Sequence, residues 1–294
     1  MKVLTIIVLY NGMNWLDRCI LSLRQSTVPT DVFVVDNGSV DGSQHHLSVC
    51  YPEVIFTQSE CNLGFGKANN MGLRYAVENG YDYVYLLNQD AWVFPDTIEK
   101  LIHVHKLYPE YGILSPIQMQ ADMLQMDKNF QKGPYSQNPR LKQDEEAGTV
   151  KQFYEVETIM AAHWLLPVST IRKIGGFSPS FPHYGEDDNY ACRSQYHGLK
   201  VGMIPLCKAV HDRQYRVENK EKTMYLHYVC LLKLFSNPFL SFARSWYRCA
   251  GDTLKAMKLF RSLVPLHNVW KILCVWPVIR RNRRISMGTE GPFL

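Results

Sequence analysis

Four groups of residues in this chain have the types and spacing to do chemistry. Asn88, Gln89 and Asp90 close an apolar run, "YLLNQDAWV", so a carboxylate stands at the tip of what reads as a buried strand. Glu186, Asp187 and Asp188 follow a glycine in "HYGEDDNYACR". Asp36 ends a second apolar run in "VVDNGSVDGS", and "NLGFGKANNMG" (62–72) is rich in glycine. His211 stands alone in "LCKAVHDRQ". Asp90 suits a hard cation such as Mg2+ or Mn2+, which takes only one or two carboxylates when a ligand's phosphates complete its shell. Pro95 and Asp96 already serve the next helix start, which leaves Asp90 without a local structural duty. The three acids suit a general base beside an acceptor hydroxyl. They would equally gain about 0.3–1 kcal/mol each from a helix dipole at an N-terminus. His211 reads either as a structural histidine or as a nitrogen ligand to the same cation, placed after a strand and a turn. Asp36 could accept hydrogen bonds from a ribose or a nucleobase, while Asp41 and Ser43 read as the N-cap of a βα turn. The glycine loop matches neither G-x-G-x-x-G nor the P-loop and fits a ligand loop or a plain connection.

These residues need a scaffold, and the apolar periodicity supplies one. "VLTIIVLY" (3–10) is a continuous β-branched run, the mark of a strand buried on both faces in a parallel sheet. A helical spacing follows over 15–26, then a strand ending at Asp36, a short helix "SQHHLSVC", the strand "VIFTQS" and a helix ending near Gly80. "YDYVYLLNQD" is a fourth strand, "FPDTIEKLIHVHKLYP" a helix and "GILSPIQM" a fifth strand. Such alternation predicts a doubly wound α/β sheet, mostly parallel and Rossmann-like, with helices on both faces. Ligands bind such sheets at the carboxyl ends of the strands, where Asn11, Asp36–Gly38, Asn62–Gly64 and Asn88–Asp90 all fall. Residues 121–148 read as a surface excursion, a hairpin or mobile loop. "VKQFYEVETIMAAHWLLP" and "KVGMIP" return to strand character, with a helix entered near 187. Residues 220–270 hold helical patterns rich in Leu, Tyr and Lys/Arg.

At 294 residues, 46% hydrophobic and 20% charged, the composition is that of an ordinary globular protein. Eight cysteines without C-x-x-C spacing point to free thiols in a reducing compartment. The N-terminal apolar run is too short for a signal peptide, and "ILCVWPVI" (272–279) is far short of a bilayer span of about 20 residues. Charge is uneven: residues 241–294 carry ten Lys/Arg and two Asp/Glu, net +8, against +5 for the chain, which leaves −3 for residues 1–240. Together with Trp246, Tyr247, Phe260, Trp270 and Trp276, this basic segment predicts peripheral contact with an anionic membrane face through 241–294. It carries no nucleic-acid-binding module, and no nucleic-acid partner is expected.

Taken in order, "IIVLYN", "VVDNGSVDGS", "NLGFGKANNMG", "LLNQDAWV", "IGGF…YGEDDNYACR" and a His after a strand resemble glycosyltransferase family 2, the inverting nucleotide-sugar transferases of GT-A fold. The resemblance covers about residues 3–215 and is nearest to the rhamnosyltransferase-like branch. It implies a GT-A catalytic domain over 1–220, with a nucleotide-sugar half at about 1–118 and an acceptor half at about 150–220, followed by a basic helical extension over 221–294. It implies that Val8, Tyr10 and Asp36 hold the nucleobase and ribose, that Asn62 and Gly64 lie in the donor-side loop, that Asn88 is nucleotide-binding in an Asn-x-Asp form of the Asp-x-Asp motif, and that Asp90 is the metal-bridging carboxylate under the diphosphate. Asp187 corresponds to the catalytic base, Glu186 to its acceptor-orienting neighbour and His211 to a second metal contact, with Mn2+ or Mg2+ as cofactor. The implied partners are a nucleotide-sugar donor and a glycan or lipid-linked glycan acceptor, at a cytoplasmic site with peripheral contact on the inner membrane face. Asn88 stands where Asp-x-Asp has its first acid, Asn69 where many members have Arg, and Ser178 where "GGFD" has Asp. The QxxRW helix of processive synthases is absent, which argues against polymerisation. Two rivals remain: a nucleotidyltransferase, whose G-x-G-T-R-like loop after strand one is replaced here by "YNGMNWLD", and a non-catalytic sugar-nucleotide-binding protein.

Overall fold

The structure is a computed structural model and describes residues 1–213 and 219–294. Residues 214 and 215, the last of the stretch carrying the resemblance, lie outside the described residues. The first half runs β1 (Val3–Leu9), α1 (Met13–Arg24), β2 (Asp31–Asp36), α2 (Ser43–Cys50), β3 (Ile55–Gln58), α3 (Phe65–Glu78) and β4 (Tyr83–Asn88). It continues with β5 (Ala91–Val93), α4 (Thr97–Leu107) and β6 (Tyr111–Met119). The strand period of two divides β1 between two cores: Leu4 and Ile6 join one cluster, Val3, Ile7 and Leu9 the other. Both faces of this strand are therefore covered, which is why its sequence is apolar throughout.

Residues 121–148 begin in a hairpin, closed by a bridge between Met119 and Met126. They continue through the single turn α5 (Lys128–Phe130), a π-helical turn over Gln131–Tyr135, and α6 (Pro139–Glu146). This segment is anchored rather than loose, because Phe130 and Leu141 are fully buried in the first core cluster. Then come β7 (Tyr154–Glu155), β8 (His163–Pro167), α7 (Val168–Ile174), α8 (Glu186–Tyr196) and β9 (Lys200–His211).

The sheet order is β3-β2-β1-β4-β8-β6-β9-β5, with β7 on β9. Parallel pairing holds from β3 through β4. Beyond it the sheet is mixed, so the expectation of a mostly parallel sheet describes only the first half. β8 is inserted antiparallel between β4 and β6, β6 pairs with β9 in parallel, and β5 pairs with β9 antiparallel. The strand read as "KVGMIP" does not stop at Pro205. A register shift between the Ile204 and Lys208 pairings absorbs the proline, and β9 runs on to His211. His211 is thus the last residue of a strand, not a residue beyond a turn.

The C-terminal part is α9 (Lys220–Ser236), α10 (Phe242–Phe260) and α11 (Val264–Ser286). A third hydrophobic cluster, with Leu231, Leu232, Phe235, Cys249, Ile272 and Ile279, binds these helices to one another and to Phe181. The chain then returns to the sheet domain: Gly176 N–H donates to Pro292 O at 2.8 Å, and Leu294 packs against the first cluster. No disulfide forms; all eight cysteines are free thiols. Among the described residues no helix is long and apolar enough to cross a membrane.

Candidate active site

The site grows from the end of β4. After Asn88 the chain turns at Gln89–Asp90 and returns as β5, whose pairing with β9 sets Ala91 against His211. Asp212 N–H donates to Asp90 O at 2.8 Å and closes this turn. The register therefore places the two side chains together, with Asp90 Oδ1 3.4 Å from His211 Nε2. Burial works to raise the Asp90 carboxyl, but the His211 contact and the Arg213 charge outweigh it and hold it below the ordinary value.

His211 is buried at 3% exposure, and its far nitrogen is oriented by a second group. Gln118 on β6 donates its amide N–H to Met160 O at 3.1 Å, which turns its Oε1 toward His211 Nδ1 at 3.3 Å. Arg213 Nη2 lies 3.4 Å from the same nitrogen, but its guanidinium is anchored on the buried Asp127 at 3.5 Å. A buried amide oxygen needs a donor. Held from this side, His211 turns Nε2 toward the Asp90 carboxylate. Two ligands of N and O type, one steadied by the Gln118 amide behind it, fit a divalent cation that takes its remaining ligands from phosphate and water. No cluster of three or more His, Cys, Asp or Glu side chains around one metal position occurs among the described residues, so such a cation would depend on the ligand's oxygens.

The acids at 186–188 reach the same place by a different route. Tyr184 and Gly185 both adopt positive φ, +65° and +83°, and reverse the chain sharply into α8. A Cβ on Gly185 would meet Val229 Cγ1 at 2.8 Å, so both conformation and space require glycine. Glu186, Asp187 and Asp188 then fill the first turn, where the helix dipole favours them. Their roles divide. Asp188 is consumed structurally: it accepts from Thr158 Oγ1 at 2.5 Å and pairs with Lys233 Nζ at 2.7 Å. Asp187 accepts from the Asp188 N–H at 2.9 Å, and burial together with the Asp188 charge raises its carboxyl. Glu186 is 5% exposed with Oε2 unpartnered, and burial pushes it up to about 7.

A cleft of about 230 Å³ joins these parts, lined by Phe65, Asn88, Met160, Ala161, Ala162, His183, Tyr184, Glu186, Asp187, His211 and Arg213. Four of the ten sequence-derived site residues, Asn88, Glu186, Asp187 and His211, line it directly, and Asp90 joins through His211. Val8, Tyr10, Asp36, Asn62 and Gly64 do not line it; they lie at or just beyond the carboxyl ends of β1, β2 and β3. Val8 is half-buried, packed on the first core and paired on both sides, to Val35 and Asn88. Tyr10 is 45% exposed, with its backbone N–H held by Gln89 Oε1.

Asp36 departs from the expectation of a direct nucleotide ligand. Its side chain is fully buried and engaged by Ser39 N–H and by Gln44 Nε2 at 2.8 Å. It shapes the loop after β2 from beneath. Asp41 likewise works as a turn-former rather than a helix cap: it accepts from Ser43 N–H and from Met13 N–H, tying two strand-end loops together. Asn62 and Asn37 lock reciprocally, since Asn37 Nδ2 donates to Asn62 Oδ1 while Leu63 N–H donates to Asn37 Oδ1. Gly64, at φ +80°, passes so close to Pro182 O that a Cβ would lie 2.6 Å from it. That contact brings the loop after β3 against the segment before α8 and sets Phe65 at the cleft.

Sequence reasoning missed Gln118, Arg213 and Tyr184. Arg213 lies two residues beyond His211 and was visible in "HDRQ". Gln118 reads as one polar residue in an apolar strand, a signal that periodicity treats as noise. Arg193 was also missed. It is fully buried on α8 and bonded to Gly176 O and Ile174 O, so it fastens the helix that carries Asp187 to the glycine turn before it.

The model of the family described as "Glycosyl transferase family 2" matches residues 5–164, more than half of the chain. The chain belongs to glycosyl transferase family 2. It is a glycosyltransferase, which removes the nucleotidyltransferase and non-catalytic rivals. An N-acetylglucosaminyl-diphospho-decaprenol L-rhamnosyltransferase of Mycobacterium tuberculosis (strain ATCC 25618 / H37Rv) is 24% identical over 228 residues, 70% of this chain and 74% of that protein. A low-salt glycan biosynthesis hexosyltransferase, Agl10 of Haloferax volcanii, is 23% identical over 186 residues, 61% of this chain and 58% of its own. Among solved structures, the Pyrobaculum calidifontis mannosyltransferase PcManGT, in complex with GDP-Man and Mn2+, superposes at TM-score 0.55 and 15% identity, over 97% of this chain and 73% of that one. S. aureus TarS 1–349 in complex with UDP gives 0.54 and 15%, over 83% and 68%. The fold is accordingly that of GT-A glycosyltransferases, with C-terminal helices added.

Proposed function

We propose that this transferase moves a sugar from a nucleoside-diphosphate sugar to a hydroxyl of a glycan or lipid-linked glycan, with inversion and with Asp187 as general base. The observation that carries the reading is that Asp187 and the Asp90–His211 pair open on one cleft. Asp90 and His211 would hold Mn2+ or Mg2+, with Asn88 beside them. Bound there, the cation supplies charge neutralisation to the departing diphosphate. Val8, Tyr10, Asn62 and Gly64 seat the nucleoside, over a loop that Asp36 shapes. Asp187 accepts the acceptor's proton, and Glu186, whose Oε2 has no partner, orients that acceptor. A single displacement by the hydroxyl, from the face opposite the leaving diphosphate, inverts the anomeric centre. The catalytic part is read as residues 1–220, with a nucleotide half at about 1–118 and an acceptor half at about 150–220, and the helical extension as 221–294.

The names of two relatives support a lipid-linked acceptor: the rhamnosyltransferase above, and an undecaprenyl-phosphate mannosyltransferase of Micrococcus luteus, 31% identical over 105 residues, 35% of this chain. The extension supports a peripheral membrane site on the cytoplasmic side, with one change from the sequence reading. Trp246 and Trp276 turn inward, packing on Phe235 and on each other, and Phe260 is half-buried. Tyr247 stays exposed, and the outward apolar residues in and just before α11 include Leu263, Leu266, Trp270 and Leu273, in sequence beside exposed Lys258, Arg261 and Lys271.

A thermal-shift screen of dTDP, UDP and GDP, with and without Mn2+, tests the donor side. One nucleotide should raise the melting temperature, and more so with Mn2+, because a ligand of the native state stabilises by RT ln(1 + [L]/Kd). No shift with any of the three would sink the nucleotide-sugar reading.

A further inference from the structure

A groove of about 860 Å³ lies between α9 and α10, outside the catalytic cleft. Its charged lining is Lys233, Arg248 and Lys255 against Asp252, so the balance is cationic. Its apolar lining includes Tyr247 and Leu254, which are 83% and 65% exposed. A site with both characters suits an amphiphile that carries negative charge at one end.

Two further observations tie the groove to catalysis and to occupancy. Lys233 reaches out of it to Asp188, the residue that follows the base, and its stem lies 3.3 Å from the position of a Cβ on Gly185. One residue therefore separates the groove's lining from Asp187. Gly251 lines the same groove from the middle of a 19-residue helix, where glycine is unfavourable relative to alanine. Nothing lies within 4 Å of where its Cβ would be, so no packing contact demands glycine; the space it leaves is space in the groove.

We propose that this groove binds the lipid diphosphate of the acceptor, with phosphates on Arg248 and Lys255 and the chain along Tyr247 and Leu254. The acceptor's sugar then extends past Asp188 to Asp187. The proposal rests on the lipid-linked acceptor reading above and adds the place where that acceptor binds.

Farnesyl diphosphate, kept below its micellar concentration, is the probe, and fluorescence or calorimetric titration is the measurement. EDTA removes competition from metal-assisted diphosphate binding in the catalytic cleft. The wild-type protein should bind farnesyl diphosphate about tenfold or more tightly than inorganic pyrophosphate. Arg248→Glu/Lys255→Glu and, separately, Gly251→Leu should each weaken that binding about tenfold. Both variants should retain the Mn2+-dependent nucleotide shift, and Gly251→Leu should melt no lower than wild type. Unchanged farnesyl diphosphate affinity in both variants overturns the proposal, as does an absence of binding in wild type. Equal affinity for pyrophosphate reduces the groove to a surface anion site and also overturns it. Variants that lose flotation with anionic vesicles but still bind farnesyl diphosphate would make it a membrane face instead. Farnesyl diphosphate binding without any nucleotide shift would sink the donor reading while sparing the groove.

Discussion

Asp90, Glu186 and Asp187 show how little of a residue's role lies in its type. All three are carboxylates at element ends; the sequence singled out Asp90 because no local structural duty explained it, and Glu186 and Asp187 although a helix N-terminus would also favour them. What separates them is environment. Asp90 is lowered by His211, whereas Glu186 and Asp187 are raised by burial. Asp188 was indistinguishable from its neighbours until Lys233 and Thr158 were seen to consume it. Asp36 was the opposite case: a strand-end acid that looks like a ligand is fully buried, because Gln44 folds back over it from α2. Side-chain pairing of this kind depends on residues far away in sequence, which composition and spacing cannot supply. Replacing Asp90 with Ala should weaken nucleoside-diphosphate binding by about tenfold or more, and only when Mn2+ is present. A titration in Mn2+ and in EDTA checks it; equal affinity in all four combinations would show a metal-independent site. Glu186 makes a pH prediction. Its folded pKa of about 7 exceeds the ordinary 4.5, so the folded state holds this proton more tightly than the unfolded chain does. Its contribution to stability is full below about 4.5 and is lost as pH rises through about 7, up to roughly 3 kcal/mol in all. Glu186→Gln should flatten the fall in unfolding free energy over that window, and an unchanged slope would mean Glu186 is not buried as described.

Elements decide which of these residues meet. The strands β1 to β4 were legible because burial on both faces leaves continuous β-branched runs, and the turns between them carry Asn, Asp and Gly. β8 was legible as a strand, but its insertion between β4 and β6 was not. Nothing in the local pattern of "AHWLLP" encodes direction or neighbour. Pro205 hid the second half of β9, since a proline ordinarily ends a strand, and with it the register that brings His211 to Asp90. The turn into α8 was visible only as a glycine before acids; the positive φ of Tyr184 and Gly185 supplies the geometry. Gly185→Ala should cost about 1–3 kcal/mol, because it combines a strained backbone with a clash against Val229. Denaturant unfolding measures this, and a change under about 0.5 kcal/mol would mean α8 is not held by that contact.

At the scale of the whole molecule, the C-terminal helices are part of the same body as the sheet. Their cluster takes in Phe181, Lys233 grips α8, and Asn70 Nδ2 donates to Phe293 O from α3. The sequence showed their charge and aromatic content but not which aromatic residues face outward. Deleting the extension to test membrane contact would also remove Pro292–Leu294 from the catalytic body, so substitutions are the sounder instrument. Leu266→Glu/Trp270→Glu should abolish flotation with anionic liposomes at low salt and leave nucleotide binding intact. Flotation equal to wild type would place the membrane contact elsewhere or remove it.

The central claim is that one cleft holds the donor at Asp90 and His211 and activates the acceptor at Asp187. The most direct test is Asp187→Asn, assayed for turnover and for Mn2+-dependent nucleotide binding in the same preparation. The account predicts a loss in kcat of about 10²–10⁴-fold with nucleotide affinity unchanged, since the amide keeps the shape and loses only the proton acceptor. Turnover within a few-fold of wild type, with the protein folded and the nucleotide bound, would contradict it.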